Sequence, residues 1–108
     1  MVIKNFVFYD GTSAGESPVL NNENCQSEVI TIQVAGTGAP DIEVLGSCDA
    51  VNFAPISVVS MGGFDVSDSI TEAGIYQASL GGVLFVKLNN TGSAAPAVGI
   101  LYDTDITL

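Results

Sequence analysis

The chain has no histidine and no tryptophan, two cysteines, and two lysines as its whole stock of basic side chains. Each shortage removes a class of chemistry. Without histidine there is no imidazole to serve as a general base, no Ser-His or Cys-His pair and no histidine-metal site. Two cysteines with no histidine beside them do not make a zinc site. Lys4 and Lys87 stand against twelve acidic groups, a formal net charge of −10. Such a surface repels phosphate backbones, so nucleic acid is not an expected partner. Long apolar runs are missing as well. No segment approaches the roughly 20 residues of a membrane-spanning helix. The short apolar run at 6–9 after Lys4 lacks the length and cleavage site of a signal peptide. The expectation is a soluble protein made in a cytoplasm, with no membrane partner.

What is present points to β-structure. With 108 residues, 47% hydrophobic and 13% charged, the chain is long enough for one folded domain. The stretch 74–89 reads as two strands around Gly81-Gly82. A two-residue loop would set Tyr76 opposite Lys87 and Ala78 opposite Phe85, leaving both faces mixed. A three-residue loop at 81–83 sets Leu80 opposite Leu84, Ala78 opposite Val86 and Tyr76 opposite Leu88. That register gathers the apolar groups on one face and is preferred, because a one-residue slip would move the whole set to solvent.

The rest of the chain follows the same pattern. Residues 1–9 alternate weakly, with Phe6 and Phe8 on one face and Val7 and Tyr9 on the other. Both faces being apolar suggests cover on two sides, by a second sheet or a neighbouring subunit. Residues 28–35 form the clearest strand, with Ile30, Ile32 and Val34 inward. After the turn residues 36–40 the run 41–45 is expected to pair back, with Ile42 and Val44 inward. Cys25 and Cys48 would then be near neighbours, read as buried free thiols in a reducing compartment. Pro55 suggests an edge or a strand start. Phe64, Val66 and Ile70 are expected buried anchors, and Val98, Ile100 and Tyr102 share one face of the last firm strand. Helical periodicity is absent. The reading is all-β: a single antiparallel β-sandwich of about eight short strands over 1–108, with extended arms allowed at 1–18 and 103–108.

Four segments together carry a family resemblance. The strand 28–37 ends in Val34-Ala35-Gly36-Thr37 and is followed by the strand 42–47. The turn Asp49-Ala50-Val51-Asn52-Phe53-Ala54-Pro55-Ile56 comes next, then Ile70-Thr71-Glu72-Ala73-Gly74-Ile75-Tyr76. In this order they resemble a jelly-roll-like β-sandwich module of tailed-bacteriophage virion proteins, found in head decoration proteins, head fibres and tail appendages. The resemblance spans residues 28–102. It departs at Ala50-Val51, where the module usually has glycine, and at Phe53, where tryptophan is frequent. It implies a virion structural protein that self-associates, a trimer by analogy, and that docks on the major capsid protein or another virion component. It brings no catalytic residues.

Candidate sites are correspondingly sparse. Asp65 with Asp68, or Asp103 with Asp105, are carboxylate pairs of the kind glycoside hydrolysis uses, but each sits among turn and strand-surface residues. Asp103 and Asp105 are also the candidates for a calcium ion, without the glycine-containing ligand loop such a site needs. No cofactor is implied, and the chain is not expected to be an enzyme. A glycan is the alternative partner, although Tyr9, Tyr76 and Tyr102 read as core residues rather than sugar platforms. Val7, Tyr9, Ile75 and Phe85 fall on faces opposite the expected core, and these four are the candidate interface.

Overall fold

The computed structural model describes residues 2–23 and 27–103. Cys25 and Asp105 lie outside them. The described residues form eleven strands: β1 (Val2–Asp10), β2 (Gly15–Glu16), β3 (Leu20–Asn21), β4 (Val29–Val34), β5 (Ile42–Ser47), β6 (Ala54–Ile56), β7 (Val58–Ser60), β8 (Val66–Ser67), β9 (Gly74–Ser79), β10 (Phe85–Asn90) and β11 (Pro96–Asp103). They make a β-sandwich of two antiparallel sheets. One has six strands in the order β1-β11-β4-β9-β7-β8; the other runs β2-β10-β5-β6, with β3 also pairing β10. Residues 2–18 are therefore part of the sandwich rather than an arm, since β1 edges one sheet and β2 the other.

The alternation in each strand sets which side chains point inward. Ile30, Ile32 and Val34 of β4 and Leu101 of β11 face Ile42 and Val44 of β5 and Val86 and Leu88 of β10, all at most 2% exposed. Burying each such side chain contributes about 1.5–3 kcal/mol. Gly99 lies on the inward face of β11, and a Cβ there would stand 2.6 Å from Phe8 Cε2 and 3.2 Å from Ile30 Cδ1. The missing side chain is the room that the Phe8 ring occupies. Phe6 meets Phe8 edge-on at a centroid distance of 5.0 Å.

Two expected hairpins are arches instead. β9 pairs with β4 and β7 in one sheet, whereas β10 pairs with β5 in the other. β4 and β5 are likewise separated, so 41–45 does not pair back on 28–35. Of the six residues expected inward, Tyr76, Ala78, Leu80, Val86 and Leu88 are nevertheless buried, and Leu84 is half-buried. Alternation records which side chains seek the core. An arch carrying the chain from one sheet to the facing one satisfies that demand as well as a hairpin does. The turn itself closes with Val83 N donating to Leu80 O at 2.9 Å, and Gly82 takes a left-handed φ of 81°. Among the described residues, consecutive strands pair at β5–β6 and β7–β8. Pro55, as expected, sits on an edge strand, β6.

Two buried asparagines hold the loops. Asn90, 2% exposed, accepts from Asp41 N at 3.1 Å and Gly92 N at 2.9 Å and donates to Ser93 O at 3.0 Å. It ties the β4–β5 loop to the β10–β11 loop. Asn22, also 2% exposed, donates to Ser27 O and Val83 O, both at 3.0 Å, and accepts from Ser27 N at 2.9 Å. It ties the approach to β4 to the β9–β10 arch. Their paired donors and acceptors satisfy backbone groups that would otherwise be desolvated without partners.

Candidate functional site

The four expected interface residues do not share one surface. Val7 and Ile75 lie on the outer face of the six-stranded sheet, 57% and 47% exposed. Phe85 is half-buried on the outer face of the other sheet. Tyr9 is in the core, 4% exposed. Its expected outward placement fails because a β-bulge falls between Val7 and Tyr9, opposite Val98 and Ala97. One extra residue reverses the alternation beyond it, and the Tyr9 hydroxyl donates to Gly15 O. Burial raises the Tyr9 phenol above its ordinary pKa, and the same cause raises Tyr76, whose hydroxyl donates to Glu72 O at 2.8 Å.

The ladder registers build the outer face of the six-stranded sheet row by row. Val7 stands opposite Val98, Val98 opposite Gln33, and Gln33 opposite Ile75. The next row runs Asn5, Ile100, Thr31, Gln77, Val59 and Val66. Ile3 and Val29 begin a third row, 54% and 40% exposed. None of these positions carries a charge, in a chain with twelve acidic side chains. Val98 and Ile100 do share a face, as expected, and it is the outer one.

Phe64 and Val66, expected to be buried anchors, are 70% and 71% exposed. They flank this face at its β7–β8 end, and Phe64 holds a left-handed φ of 59°. Such a conformation is strained for a bulky side chain. Beside Phe64 lies a depression of about 260 Å³ with Val29, Val59, Met61 and Gln77 in its wall. Ile70 is buried, as expected.

The opposite outer face is of another kind. Lys87 pairs with Glu16 at 3.3 Å and stands 4.4 Å over the Phe53 ring, and Glu43 lies opposite Asn89. The other cation, Lys4, donates to Asn21 O at 2.9 Å across the open side of the sandwich. Both lysines are therefore engaged within the chain.

Another groove, of about 400 Å³, is lined by Gly46, Cys48, Asp49, Asn52, Pro55 and Val83. Its polar groups face one another. Asp49 accepts from Ser47 Oγ at 2.8 Å, from Val51 N at 2.9 Å, from Asn52 N at 2.8 Å and from Asn52 Nδ2 at 2.8 Å. Those bonds, the Asn52 and Val51 amides first, hold its carboxyl well below the ordinary carboxylate range. Such a turn is a structural cap, with its acceptor capacity already used. Ala50 within it adopts a left-handed φ of 63°, where the resembled module usually has glycine. Cys48, expected to be buried, is exposed, its Sγ 3.4 Å from Gly82 O. Asp103 ends β11 opposite Val2 in the backbone ladder. No group of three or more His, Cys, Asp or Glu side chains that could hold a metal occurs among the described residues.

The residues that reading the sequence missed are Ile3, Val29, Val66, Val98 and Phe64. Their signal was the absence of charge from every outward position of 29–33 and 75–79, which looked merely polar beside the inward sets.

No family model matches the chain, and no curated protein matches its sequence. Among solved structures it is similar to the SPBc2 prophage-derived protein YomS, with a TM-score of 0.81 at 13% identity over 93% of this chain and 92% of that one. Likeness at that identity is a likeness of fold: the two chains share one β-sandwich architecture along nearly their whole lengths.

Proposed function

We propose that this protein is a non-enzymatic structural component of a tailed bacteriophage, a capsid decoration, head-fibre or tail-associated protein. It is made in the host cytoplasm and carried on the particle. The observation that carries the reading is the outer face of the six-stranded sheet, where Ile3, Val7, Val29, Ile75 and Val98 stand exposed and Asp10 is an acid at the β1 corner, on a chain of net charge −10. Exposed apolar faces of this extent mark contact surfaces, while the acidic remainder keeps the particle soluble. The virion-module resemblance and the fold shared with a prophage-derived protein support the setting. Its partners on this reading are further copies of itself and the major capsid protein or another virion component.

The glycan-binding alternative has less behind it. Tyr9 and Tyr76 are buried with their hydroxyls bonded inside the chain, and the groove at Asp49 has its polar groups engaged. Mass spectrometry of purified phage particles from the strain that encodes the chain tests the proposal. The chain should be present in stoichiometric amount. Its presence in the lysate and absence from particles would overturn the reading.

A further inference from the structure

The loop that carries the chain from β1 into β2 holds a reactive pair. Asp10-Gly11 is the single place in the sequence where glycine follows an aspartate or an asparagine. An aspartyl carboxyl can be attacked by the backbone nitrogen of the next residue, and a glycine there puts no Cβ in the way. The fold itself demands this glycine. Gly11 holds a left-handed φ of 97°, and a Cβ on it would stand 3.0 Å from Pro96 Cγ. Alanine would be strained on both counts. Asp10 is exposed at the last ladder position of β1, opposite Pro96, so water reaches it freely.

Thr12 holds the Asp10 carboxylate in place. Thr12 N donates to Asp10 Oδ1 at 2.9 Å, and Thr12 Oγ1 donates to the same oxygen at 2.5 Å. The two bonds restrain rotation of the side chain. They also favour its ionised form, the hydroxyl bond first, and hold the carboxyl below its ordinary pKa. Both effects oppose ring closure, which needs a neutral carboxyl brought against Gly11 N.

We propose that Asp10-Gly11 is the site of covalent ageing in this chain, rearranging to isoaspartate at a rate set by the Thr12 clasp. In the reaction Gly11 N attacks Asp10 Cγ. The N–Cγ bond forms, the carboxyl C–OH bond breaks, and the hydroxyl leaves with the amide proton as water. Water then adds to one carbonyl of the cyclic imide. Release of the nitrogen from Cγ restores aspartate. Release from the α-carbonyl carbon leaves Gly11 joined through the side chain, which is isoaspartate. One water leaves and one enters, with no oxidation or reduction. The product has one more methylene in its main chain. It falls inside the loop that the Tyr9 hydroxyl closes on Gly15 O, beside the Asp10–Pro96 ladder pair, and so loosens the step from β1 to β2. The inference is independent of any particle that carries the chain.

The test is incubation of the full chain at one temperature and mildly acidic pH. Isoaspartate is counted by methylation with a protein isoaspartyl methyltransferase and located by mass spectrometry. The folded wild type should form it at residue 10 at least about tenfold more slowly than the same chain unfolded in urea, the factor that two ordinary hydrogen bonds supply. Thr12→Val removes the hydroxyl donor and should speed the folded chain about fivefold. Thr12→Ser keeps the donor and should match wild type. Asp10→Glu should nearly abolish the signal, because the longer side chain must close a larger ring. Equal rates in folded and unfolded wild type, a Thr12→Val rate no faster than that of Thr12→Ser, or isoaspartate that persists in Asp10→Glu would each overturn the inference. The wild-type comparison decides the matter even if a variant fails to fold.

Discussion

Replacing Asn90 with alanine should cost about as much as removing a core leucine, although its side chain is polar. Its side chain makes three hydrogen bonds at 2.9–3.1 Å, to Asp41 N, Gly92 N and Ser93 O. At about 1 kcal/mol net for each, the loss is about 3 kcal/mol. The contact it holds cannot readily relax. A Cβ on Gly92 would stand 2.6 Å from Asp41 N and 2.8 Å from Pro40 C, so the two loops already touch backbone to backbone. Asn22→Ala removes three bonds at 2.9–3.0 Å by the same logic and should also cost about 3 kcal/mol. The two sites are six residues of β10 apart, from Leu84, which accepts from Asn22 N at 2.7 Å, to Asn90; that is about 20 Å along the strand. Their effects should add to within about 0.5 kcal/mol. The double variant would then lose about 6 kcal/mol of the 5–15 kcal/mol typical of a domain and be marginal at room temperature. Urea titration, at a concentration low enough to keep the chain monomeric, should show each single variant with a lower midpoint and an unchanged slope. A cost below about 1 kcal/mol for Asn90→Ala, or strong non-additivity with Asn22→Ala, would refute the account of these residues as independent loop clasps.

Further outcomes can be checked on the same material. Gly99→Ala should destabilise by about 1–3 kcal/mol through overpacking against Phe8, and Phe8→Leu in the same chain should recover part of that loss, read as a coupling energy in a double-mutant cycle. Ala50→Gly removes a left-handed strain of about 1 kcal/mol and should leave thermal stability unchanged or raised; a clear drop in melting temperature counts against the geometry of that turn. Asp49→Asn should destabilise at neutral pH. Because folding lowers the Asp49 pKa from its ordinary 3.8, the wild-type carboxylate contributes stability above that value and loses it as pH falls toward the lowered one. The gap between wild type and variant should accordingly be full at neutral pH and narrow below about pH 3.8. A gap independent of pH in acid denaturation curves would show that the turn owes nothing to the charge.

The β-sandwich was legible because inward alternation in 28–35, 41–45 and 74–89 is strong, and these segments supply the buried Ile30, Ile32, Ile42, Val44, Tyr76 and Ala78. Strand pairing was not. Hairpin and arch demand the same inward residues, so the pattern around Gly81-Gly82 could not say whether Val86 lies beside Ala78 or across the core from it. The candidate surface was half legible. Val7 and Ile75 were placed outward correctly, but the bulge that buries Tyr9 leaves no mark in a run where every residue from Phe6 to Tyr9 is apolar. Phe64 and Val66 were misjudged because hydrophobicity alone predicts burial, and what holds them out is the left-handed turn at Phe64.

The position of β11 has a consequence for how the chain reaches this state. The strand lies between β1 and β4, with Lys4 opposite Leu101 and Ile30 opposite the same residue on its other side. β1 therefore has no partner in its sheet until β11, with nine strands between them in the sequence, is made. Until then the edge of β4 that receives β11 and the whole of β1 remain unpaired. Topologies dominated by such distant pairings fold in milliseconds to seconds rather than microseconds, and their unpaired strands are exposed to aggregation in the interval. The high acidic charge of the chain acts during synthesis too, when it repels unfinished copies from one another.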